Sequence, residues 1–357
     1  MINLGVVGLG RWGRRHVDAA IASGRFRIER AATKTPGLVE GFAAARSIAL
    51  AAGIEELLAD PRVDAVSLAT PHSLHVPQIL QAAAAGKHVL AEKPFALSKS
   101  DAERAIAACT AAGIVIAVGH DNRFYPAIAE IRRIVESGSL GEILHAEANL
   151  SHDFMRKGTG NMVSQGALAA AASPTSSGAG ATTPAWRLDR HEAPAGAVVH
   201  LGVHRIDSMV QIFGKIDYVF AQASRDALSL TCADTVSMLV RFQSGATGYL
   251  GSSLATPLNS RFQVFGSQGW VEARGPRDMD EYLLSSLKSV SVRLSGGYFD
   301  SREFEAVDSV KLNFEAFADA IEGKSPYPIP LDEMVHVAAV TEAVARSLKT
   351  RLLVLVA

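Results

Sequence analysis

A glycine-rich loop follows the first apolar segment of the chain, and it limits the possible folds more than any other feature. The segment INLGVV reads as a short buried strand, and Gly8, Gly10 and Gly13 follow it in G-x-G-x-x-G spacing. A helical pattern then runs from about Arg14 to Ala22. In such a unit the glycines permit a tight turn, close approach of the backbone to a pyrophosphate, and packing of helix on strand. The sequence therefore predicts a dinucleotide site at the start of this helix, formed by Gly8, Leu9, Gly10, Arg11, Trp12 and Gly13.

Strand and helix patterns alternate through the first third of the chain. Four further apolar segments read as strands: RFRIERAAT, VDAVSLAT, KHVLAEKP and GIVIAVGH. Alanine-rich helical patterns occupy 76–85 and 101–112 between them. This alternation is typical of a doubly wound parallel sheet, which binds ligands at the carboxyl ends of its strands. We therefore predict an α/β fold that begins with such a sheet.

The end of the second predicted strand bears on which dinucleotide binds. A site for the unphosphorylated cofactor carries an acid about 20 residues past the glycines, where it binds the ribose 2′-hydroxyl. Here Thr33 and Lys34 follow the strand, and Arg11 in the loop offers a second positive charge. A hydroxyl and a cation suit a 2′-phosphate, so the pattern favours NADP. The alternative is that Lys34 is a solvated surface lysine and that the protein takes either NADP or NAD.

The charge balance and the cysteines narrow the possible partners and the compartment. Lys and Arg total 35 against 36 Asp and Glu, so no excess of one sign is present to recruit nucleic acid or an anionic membrane. No uncharged apolar run approaches 18 residues, and the first residues lack the pattern of a secretory signal. Cys109 and Cys232 lie far apart in sequence, which fits a reducing compartment. We therefore expect a cytoplasmic protein that binds neither nucleic acid nor membrane.

Five segments along the chain match one protein family in the expected order. The first contains the triplet Glu92-Lys93-Pro94 at the end of a predicted strand. With these segments and the glycine loop, the chain resembles the Gfo/Idh/MocA oxidoreductases, named for glucose-fructose oxidoreductase and inositol 2-dehydrogenase, over nearly its whole length. The segments are ATPHSLHVPQILQAAAAGKHVLAEKPFALS (69–98), GHDNRFYPAIAEIRRIVESGSLGEILHAEA (119–148), WR (186–187), LGVHRID (201–207) and YPIPLDEMVHVAAVTEAVARS (327–347).

The resemblance implies two domains. A Rossmann dinucleotide-binding domain is expected over 1–122, and an α/β domain for substrate binding and oligomerisation over 123–357, with a large, mostly antiparallel sheet. The sequence agrees with this division, because alternating strands such as TVSMLVRFQ and ATGYLGSSLA, joined by short turns, come after Tyr125. A sheet covered by helices on one face leaves the other face to bury, so we expect a homodimer or homotetramer formed through this sheet.

The resemblance also implies an NAD(P)-dependent dehydrogenase or reductase. Its reaction would transfer a hydride between a nicotinamide cofactor and a secondary alcohol or ketone of a sugar, cyclitol or related polyol. Three alternatives stay open. They are a glycosidase that oxidises and re-reduces its sugar with tightly held NAD, a dihydrodiol dehydrogenase, and a cofactor-binding sensor without turnover.

Three residues are candidates for the chemical step. Lys93, at the carboxyl end of a sheet strand, can hydrogen-bond the reacting oxygen and stabilise a developing alkoxide. His204 matches the family's catalytic histidine, which the resemblance implies is the general base. Many members have an acid four residues earlier, where this chain has His200, and a neutral imidazole cannot supply the negative charge of that acid. The family mechanism therefore transfers only in part, and all three residues are expected to contact the substrate.

Other residues are assigned to the cofactor or to the substrate. Glu92 resembles the family residue near the cofactor ribose, and Lys93 borders the same cleft. Thr70, the last residue of VDAVSLAT, is assigned to the cofactor. His72 and His75 follow it and are expected on the nicotinamide side, with a plain loop position as the alternative for each. Three more can bind polar substrate groups, with a solvated position as the alternative for each arginine: Arg123, Trp186 and Arg187.

A metal site is the alternative use of the two histidines in HLGVH. His200 and His204 are four residues apart, and histidines at that helical spacing can share an ion. The sequence shows no matching third ligand, so no metal is expected. Asp207, one turn beyond His204, is interpreted as an anchor for that helix or as a residue that orients the histidine, with an acid on the helix surface as the alternative.

Residues 162–185 depart from the family pattern. The segment MVSQGALAAAASPTSSGAGATTPA contains no charged residue and has little periodicity. It is interpreted as a flexible insertion, with a lid over the substrate and an altered sequence as alternatives.

Overall fold

A computed structural model describes residues 1–153, 185–224, 227–228, 230–276 and 287–356. The described chain forms two compact units. The first comprises Met1–Asp121 and Val310–Val335, and the second comprises most of the remaining described residues. The predicted insertion at 162–185 lies outside the described residues except for its last position.

The first unit contains a six-stranded parallel sheet. Its strand order, β3-β2-β1-β4-β5-β6, reverses direction between β1 and β4, which is where a doubly wound sheet binds its ligand. The apolar strand patterns are buried as predicted, with Leu4, Val6 and Leu68 inaccessible to solvent. The strands are β1 (Ile2–Val7), β2 (Phe26–Ala32), β3 (Ala49–Ala51), β4 (Ala65–Leu68), β5 (His88–Ala91) and β6 (Ile116–Val118).

The helices of this unit begin slightly earlier than the sequence patterns suggest. Gly10 precedes the first helix directly, so that helix starts at Arg11 rather than near Arg14. The Ser98 hydroxyl accepts the Asp101 N–H at 3.2 Å and thereby caps the fifth helix. The helices are α1 (Arg11–Ala22), α2 (Glu40–Ala44), α3 (Ile54–Ala59), α4 (His72–Ala84) and α5 (Lys99–Ala111), with a 3-10 turn at Pro36–Leu38.

A segment from late in the chain belongs to the first unit. The helix Ser309–Ile321, labelled α8 here, buries Phe314 and Phe317 against Phe26, with ring centroids 5.5 and 6.0 Å from it. Asn313 donates its side-chain N–H to the Val118 carbonyl at 3.0 Å. Residues Val310–Val335 therefore group with the first unit, although they lie late in the sequence.

The second unit contains a nine-stranded sheet with the order β14-β13-β12-β11-β7-β10-β9-β8-β15. β7 and β10 pair in parallel, and the other recorded neighbours are antiparallel. The predicted fold class is confirmed. The strands are β7 (Ile143–Ser151), β8 (Ile216–Ser224), β9 (Thr235–Phe242), β10 (Thr247–Ser253), β11 (Asn259–Gly266), β12 (Gly269–Arg274), β13 (Ser289–Leu294), β14 (Phe299–Glu303) and β15 (Val354–Leu355).

Helices provide the other part of the second unit's core. Ile128, Ile131 and Ile134 lie on the buried face of one helix, in the spacing of an amphipathic helix. The elements are a 3-10 turn at Asp121–Phe124, α6 (Pro126–Glu136), a 3-10 turn at Ala185–Leu188, a π-helical turn at Val198–Gly202, α7 (Val203–Phe213) and α9 (Leu331–Thr350), whose first residues belong to the first unit. Within the described part of the chain, no helix has the length and apolar character needed to cross a membrane.

Candidate active site

Only glycine fits at two positions between the end of β1 and the first turn of α1. Gly8 adopts a φ of +90°, and a Cβ atom there would lie 2.5 Å from the Ala69 carbonyl oxygen. A Cβ atom on Gly13 would lie 1.7 Å from the Gly8 carbonyl oxygen. These distances are far below contact distance, so the tight turn and the close packing of α1 on the sheet both depend on the glycines.

Gly10 differs from these two, because it faces open space. It is exposed, and no described atom lies within 4 Å of a Cβ built there. The first turn of α1, which is fully described, carries no acidic side chain, and Arg11 in it is exposed. An open backbone at a helix N-terminus, without a competing carboxylate, fits the pyrophosphate of a dinucleotide.

The residues after β2 also remain accessible. Thr33 is half-buried and Lys34 is exposed, directly after the strand ends at Ala32. The predicted candidates for the ribose end of the cofactor therefore lie at the carboxyl edge of the sheet, as the strand pattern requires.

His75 connects the loops after β4 and β5. Its buried ring places Nδ1 2.8 Å from the Pro94 carbonyl oxygen and Nε2 3.0 Å from the Thr70 carbonyl oxygen. The Thr70 hydroxyl donates to Gln78 Oε1 at 2.7 Å. His72 is the first residue of α4, and its ring centroid lies 5.9 Å from that of His75. Both ring nitrogens of His75 thus face backbone oxygens, which gives this residue a role in holding two strand-end loops together.

Glu92 is the centre of a buried hydrogen-bonded group directly before Lys93. Its Oε1 lies 2.9 Å from His16 Nε2, and its Oε2 accepts the Lys93 backbone N–H at 3.0 Å. Nδ1 of His16 lies 2.6 Å from the Ser67 hydroxyl. Burial by itself raises the pKa of Glu92, but the hydrogen bond from His16, electrostatic attraction to His16 and Lys93, and the hydrogen bond from the Lys93 N–H together hold that pKa below its ordinary value of 4.5. The carboxylate is therefore ionised at neutral pH.

In the second unit, the two histidines of HLGVH lie on different kinds of helix. His200 is buried in the π-helical turn, and His204 is half-buried in the first turn of α7. The α-helical conformation that the sequence spacing assumes therefore holds at His204 but not at His200. Among the described residues, no group of three or more His, Cys, Asp and Glu side chains is placed to hold a metal ion.

Arg123 forms a buried ion pair with Asp207. Its Nε lies 3.0 and 2.9 Å from the two carboxylate oxygens, and its Nη2 lies 2.6 Å from Oδ1. The side chains are 5% and 0% exposed, respectively. The predicted substrate contact of Arg123 stays a prediction, but this guanidinium holds α7 three residues after His204. The alternative that Asp207 is an acid on the helix surface is wrong, because its side chain is 0% exposed. Arg123 is the partner through which Asp207 can anchor α7.

Trp186 and Arg187 lie together in the 3-10 turn Ala185–Leu188. The Arg187 guanidinium carbon is 4.6 Å from the centroid of the Trp186 ring, a cation–π contact. Both side chains are half-buried, so their polar and aromatic groups remain partly accessible.

Comparison with known proteins identifies the family. Residues 2–120 match the model of an oxidoreductase family with an NAD-binding Rossmann fold, GFO_IDH_MocA, and residues 128–272 match the GFO/IDH/MocA C-terminal domain. The chain belongs to the Gfo/Idh/MocA oxidoreductase family. It is an NAD(P)-dependent oxidoreductase, as the resemblance predicts.

Curated relatives and a solved structure of this oxidoreductase cover most of its length. D-xylose 1-dehydrogenase (NADP(+)) 2 of Haloferax volcanii is 25% identical over 347 residues, which is 97% of each chain. Myo-inositol 2-dehydrogenase of Thermotoga maritima is 26% identical over 294 residues, 78% of this chain and 76% of the relative. Levoglucosan dehydrogenase in complex with NADH and L-sorbose has the same fold, with a TM-score of 0.81, 20% identity and coverage of 100% and 99%.

Two residues of this oxidoreductase's candidate site, His16 and Ser67, are not predicted from the sequence. His16 lies in the helical pattern from about Arg14 to Ala22 and Ser67 in the segment VDAVSLAT, but neither belongs to a motif with a known role. A usable signal exists for His16, since it falls on the buried face of α1 between Gly13 and Val17. A polar residue on the apolar face of a helix needs a polar partner, and here the partner is Glu92.

Proposed function

We propose that this oxidoreductase transfers hydride between a nicotinamide cofactor and a secondary alcohol or ketone of a sugar, cyclitol or related polyol. The observation that carries the proposal is the glycine loop before α1, combined with an ionised Glu92 and a buried Lys93 at the end of β5. The curated relatives support the substrate class, because they are named as dehydrogenases of D-xylose and myo-inositol.

The backbone of the glycine loop and the first turn of α1 would hold the cofactor pyrophosphate. When bound, the nicotinamide supplies the group that accepts or returns a hydride. Lys93 is assigned to the reacting substrate oxygen, where its ammonium stabilises the developing alkoxide. His204 is assigned as the general base that takes the hydroxyl proton, and His200 as a substrate contact, because imidazole exchanges protons near neutral pH.

The finer assignments are also proposals. NADP is favoured over NAD because Thr33 and Lys34, rather than an acid, follow β2. A second copy of the chain is proposed to cover the outer face of the nine-stranded sheet as a homodimer or homotetramer. A reducing cytoplasm is proposed because Cys109 and Cys232 are both free and buried.

The decisive experiment is a substrate screen with the purified full chain. D-xylose, myo-inositol, levoglucosan and trans-1,2-dihydrobenzene-1,2-diol are each incubated with NAD⁺ and with NADP⁺, and the absorbance of the reduced nicotinamide is followed. At least one polyol or sugar is expected to reduce a cofactor. Binding of cofactor without any reduction would overturn the proposal, and sugar release from a glycoside without net reduction would identify the glycosidase instead.

The base assignment has its own test. His204→Ala is expected to lower kcat by about a hundredfold or more, which is the usual contribution of general acid–base catalysis. Cofactor affinity, measured by nicotinamide fluorescence, should be retained. His191→Ala, at an exposed histidine of the same unit, is the control. Near-normal turnover of the His204 variant would remove this residue from the mechanism.

A further inference from the structure

Three polar side chains, two of them buried and the third, Glu92, 12% exposed, form a continuous hydrogen-bonded series within the first unit. Ser67 on β4 contacts His16 on α1, and His16 contacts Glu92 directly after β5. Ser67 is fully buried and His16 is 2% exposed. The edge of the Phe314 ring packs against His16 at a centroid distance of 5.5 Å, so apolar packing also confines the imidazole.

The chemistry of each hydrogen-bonding partner determines which atoms of this series carry the hydrogens. An ionised carboxylate only accepts, so Nε2 of His16 carries the hydrogen that faces Glu92 Oε1. Nδ1 can then accept the Ser67 hydroxyl hydrogen at 2.6 Å. The second oxygen of Glu92 accepts the backbone N–H of Lys93 at 3.0 Å. The Ser67 hydroxyl thus donates to His16, and His16 donates to Glu92. The Glu92 carboxylate also accepts the backbone N–H of Lys93, the residue assigned to the substrate oxygen.

We propose that His16 is a positioning residue for Lys93. By holding Glu92 in place, His16 fixes the backbone at Lys93, and with it the direction from which the ammonium reaches the reacting oxygen. The role assigned to Lys93 rests on the proposed function. His16 lies on the helix that begins at the glycine loop. The hydrogen-bonded series therefore also connects the proposed cofactor-binding helix to the strand end that carries Lys93.

Two substitutions at His16 separate positioning from filling of space. In His16→Gln the amide nitrogen can reach about as far as Nε2 and still donate to Glu92. In His16→Asn the amide ends near the position of Nδ1 and cannot reach the carboxylate. Asn is also smaller than His and leaves a cavity, so His16→Leu is the matched control, since it fills the site without donating a hydrogen bond. A purely space-filling role predicts that His16→Leu behaves like His16→Gln, whereas positioning predicts that it behaves like His16→Asn.

The first measurement follows hydrogen exchange of the Lys93 amide by NMR or mass spectrometry. Release of Glu92 in His16→Asn is expected to raise the exchange rate by about tenfold or more, whereas His16→Gln should stay within about threefold of the wild type. The Val115 amide, bonded to His88 Nδ1 at 3.0 Å in the same unit, is the control and should not change. Equal exchange of the Lys93 amide in the two variants would overturn the proposal.

The second measurement is kinetic, with whichever substrate of the panel is turned over. His16→Asn is expected to lower kcat by about tenfold while the KM for the cofactor changes by less than about twofold, and His16→Gln should restore most of kcat. A loss confined to KM would contradict positioning of Lys93. If the wild type turns over none of the panel, the proposed function fails, while the exchange measurement still decides the role of His16.

A third measurement needs no variant. The ¹⁵N NMR signals of the His16 ring in the wild type should show a protonated Nε2 and an accepting Nδ1 at neutral pH. An Nδ1-protonated ring with a bare Nε2 would mean that His16 does not donate to Glu92, and the proposal would be wrong even if the variants did not fold.

Discussion

Lys34 and Glu92 show how single side chains at strand ends define the proposed chemistry. Lys34 is exposed directly after β2, and Glu92 is ionised directly after β5. Their surroundings differ, since one is solvated and the other is enclosed by His16 and Lys93. A change at Lys34 is therefore expected to alter the selectivity between NADP⁺ and NAD⁺. A change at Glu92 is expected to alter the free energy of unfolding and its pH dependence.

Lys34→Asp is expected to shift the ratio of kcat/KM for NADP⁺ over NAD⁺ by about tenfold or more towards NAD⁺. A carboxylate repels a 2′-phosphate and can bind the ribose hydroxyl instead. Steady-state kinetics with both cofactors measures the ratio. Lys349→Asp makes the same charge change at an exposed position of α9 and is the control. An unchanged ratio in the Lys34 variant would show that this residue is a surface lysine.

Replacing Glu92 by Gln is expected to flatten the acid side of the stability profile. The folded protein lowers the pKa of Glu92 below 4.5, so the unfolded chain binds the proton more tightly. The stabilisation by the carboxylate is present above about pH 4.5 and is lost as the pH falls through the lower folded-state pKa. Urea unfolding over a pH series should show the wild type losing more stability on acidification than the Gln variant. Glu303→Gln, on exposed β14, serves as the control, and parallel profiles for wild type and Glu92→Gln would contradict the expectation.

At the scale of elements, the π-helical turn and α7 carry the two histidines, and one ion pair holds α7. Asp207 is fully buried with Arg123, so removing one partner leaves an uncompensated charge in the core. Asp207→Asn is expected to cost about 3–5 kcal/mol in free energy of unfolding, measured by urea denaturation. Asp300→Asn breaks the more exposed pair with Arg302 and should cost about 1 kcal/mol or less. Similar costs for the two variants would show that the buried pair does not stabilise α7.

For the whole molecule, the outer face of the nine-stranded sheet bears on assembly. Along β9 the buried residues alternate with outward ones, and Leu239 on the outward side is 53% exposed. Ion pairs of Arg261 with Glu147 and Glu272 lie on the same face, so the surface is mixed rather than wholly apolar. Such a face suits association with a second copy of the chain, which would present the same exposed leucine and the same charged side chains.

Leu239→Glu is expected to shift the protein towards the monomer in analytical ultracentrifugation, because it places a charge in the proposed subunit interface. Leu38→Glu introduces the same residue at a leucine that is 77% exposed in the first unit, and it should leave the sedimentation unchanged. A wild type that sediments as a monomer would overturn the proposed assembly through this sheet.

The sequence by itself determined the parallel sheet, the glycine loop and the family. These follow from local rules, since strand periodicity and glycine spacing are readable within a few residues and Gly13 tolerates no side chain against Gly8. The change from parallel to mostly antiparallel strands was equally readable, because alternation in β9 and β10 differs from the continuous apolar pattern of β4.

Only the tertiary structure decided which side chains are partners. His16 and Glu92 are 76 positions apart, Arg123 and Asp207 are 84 apart, and Phe314 returns from late in the chain to pack on Phe26. The π-helical conformation at His200 likewise appears only in the folded structure. Such pairings depend on how whole helices and strands pack. A buried polar group forms its hydrogen bond with the partner that this packing brings close, and a local sequence pattern does not contain that information.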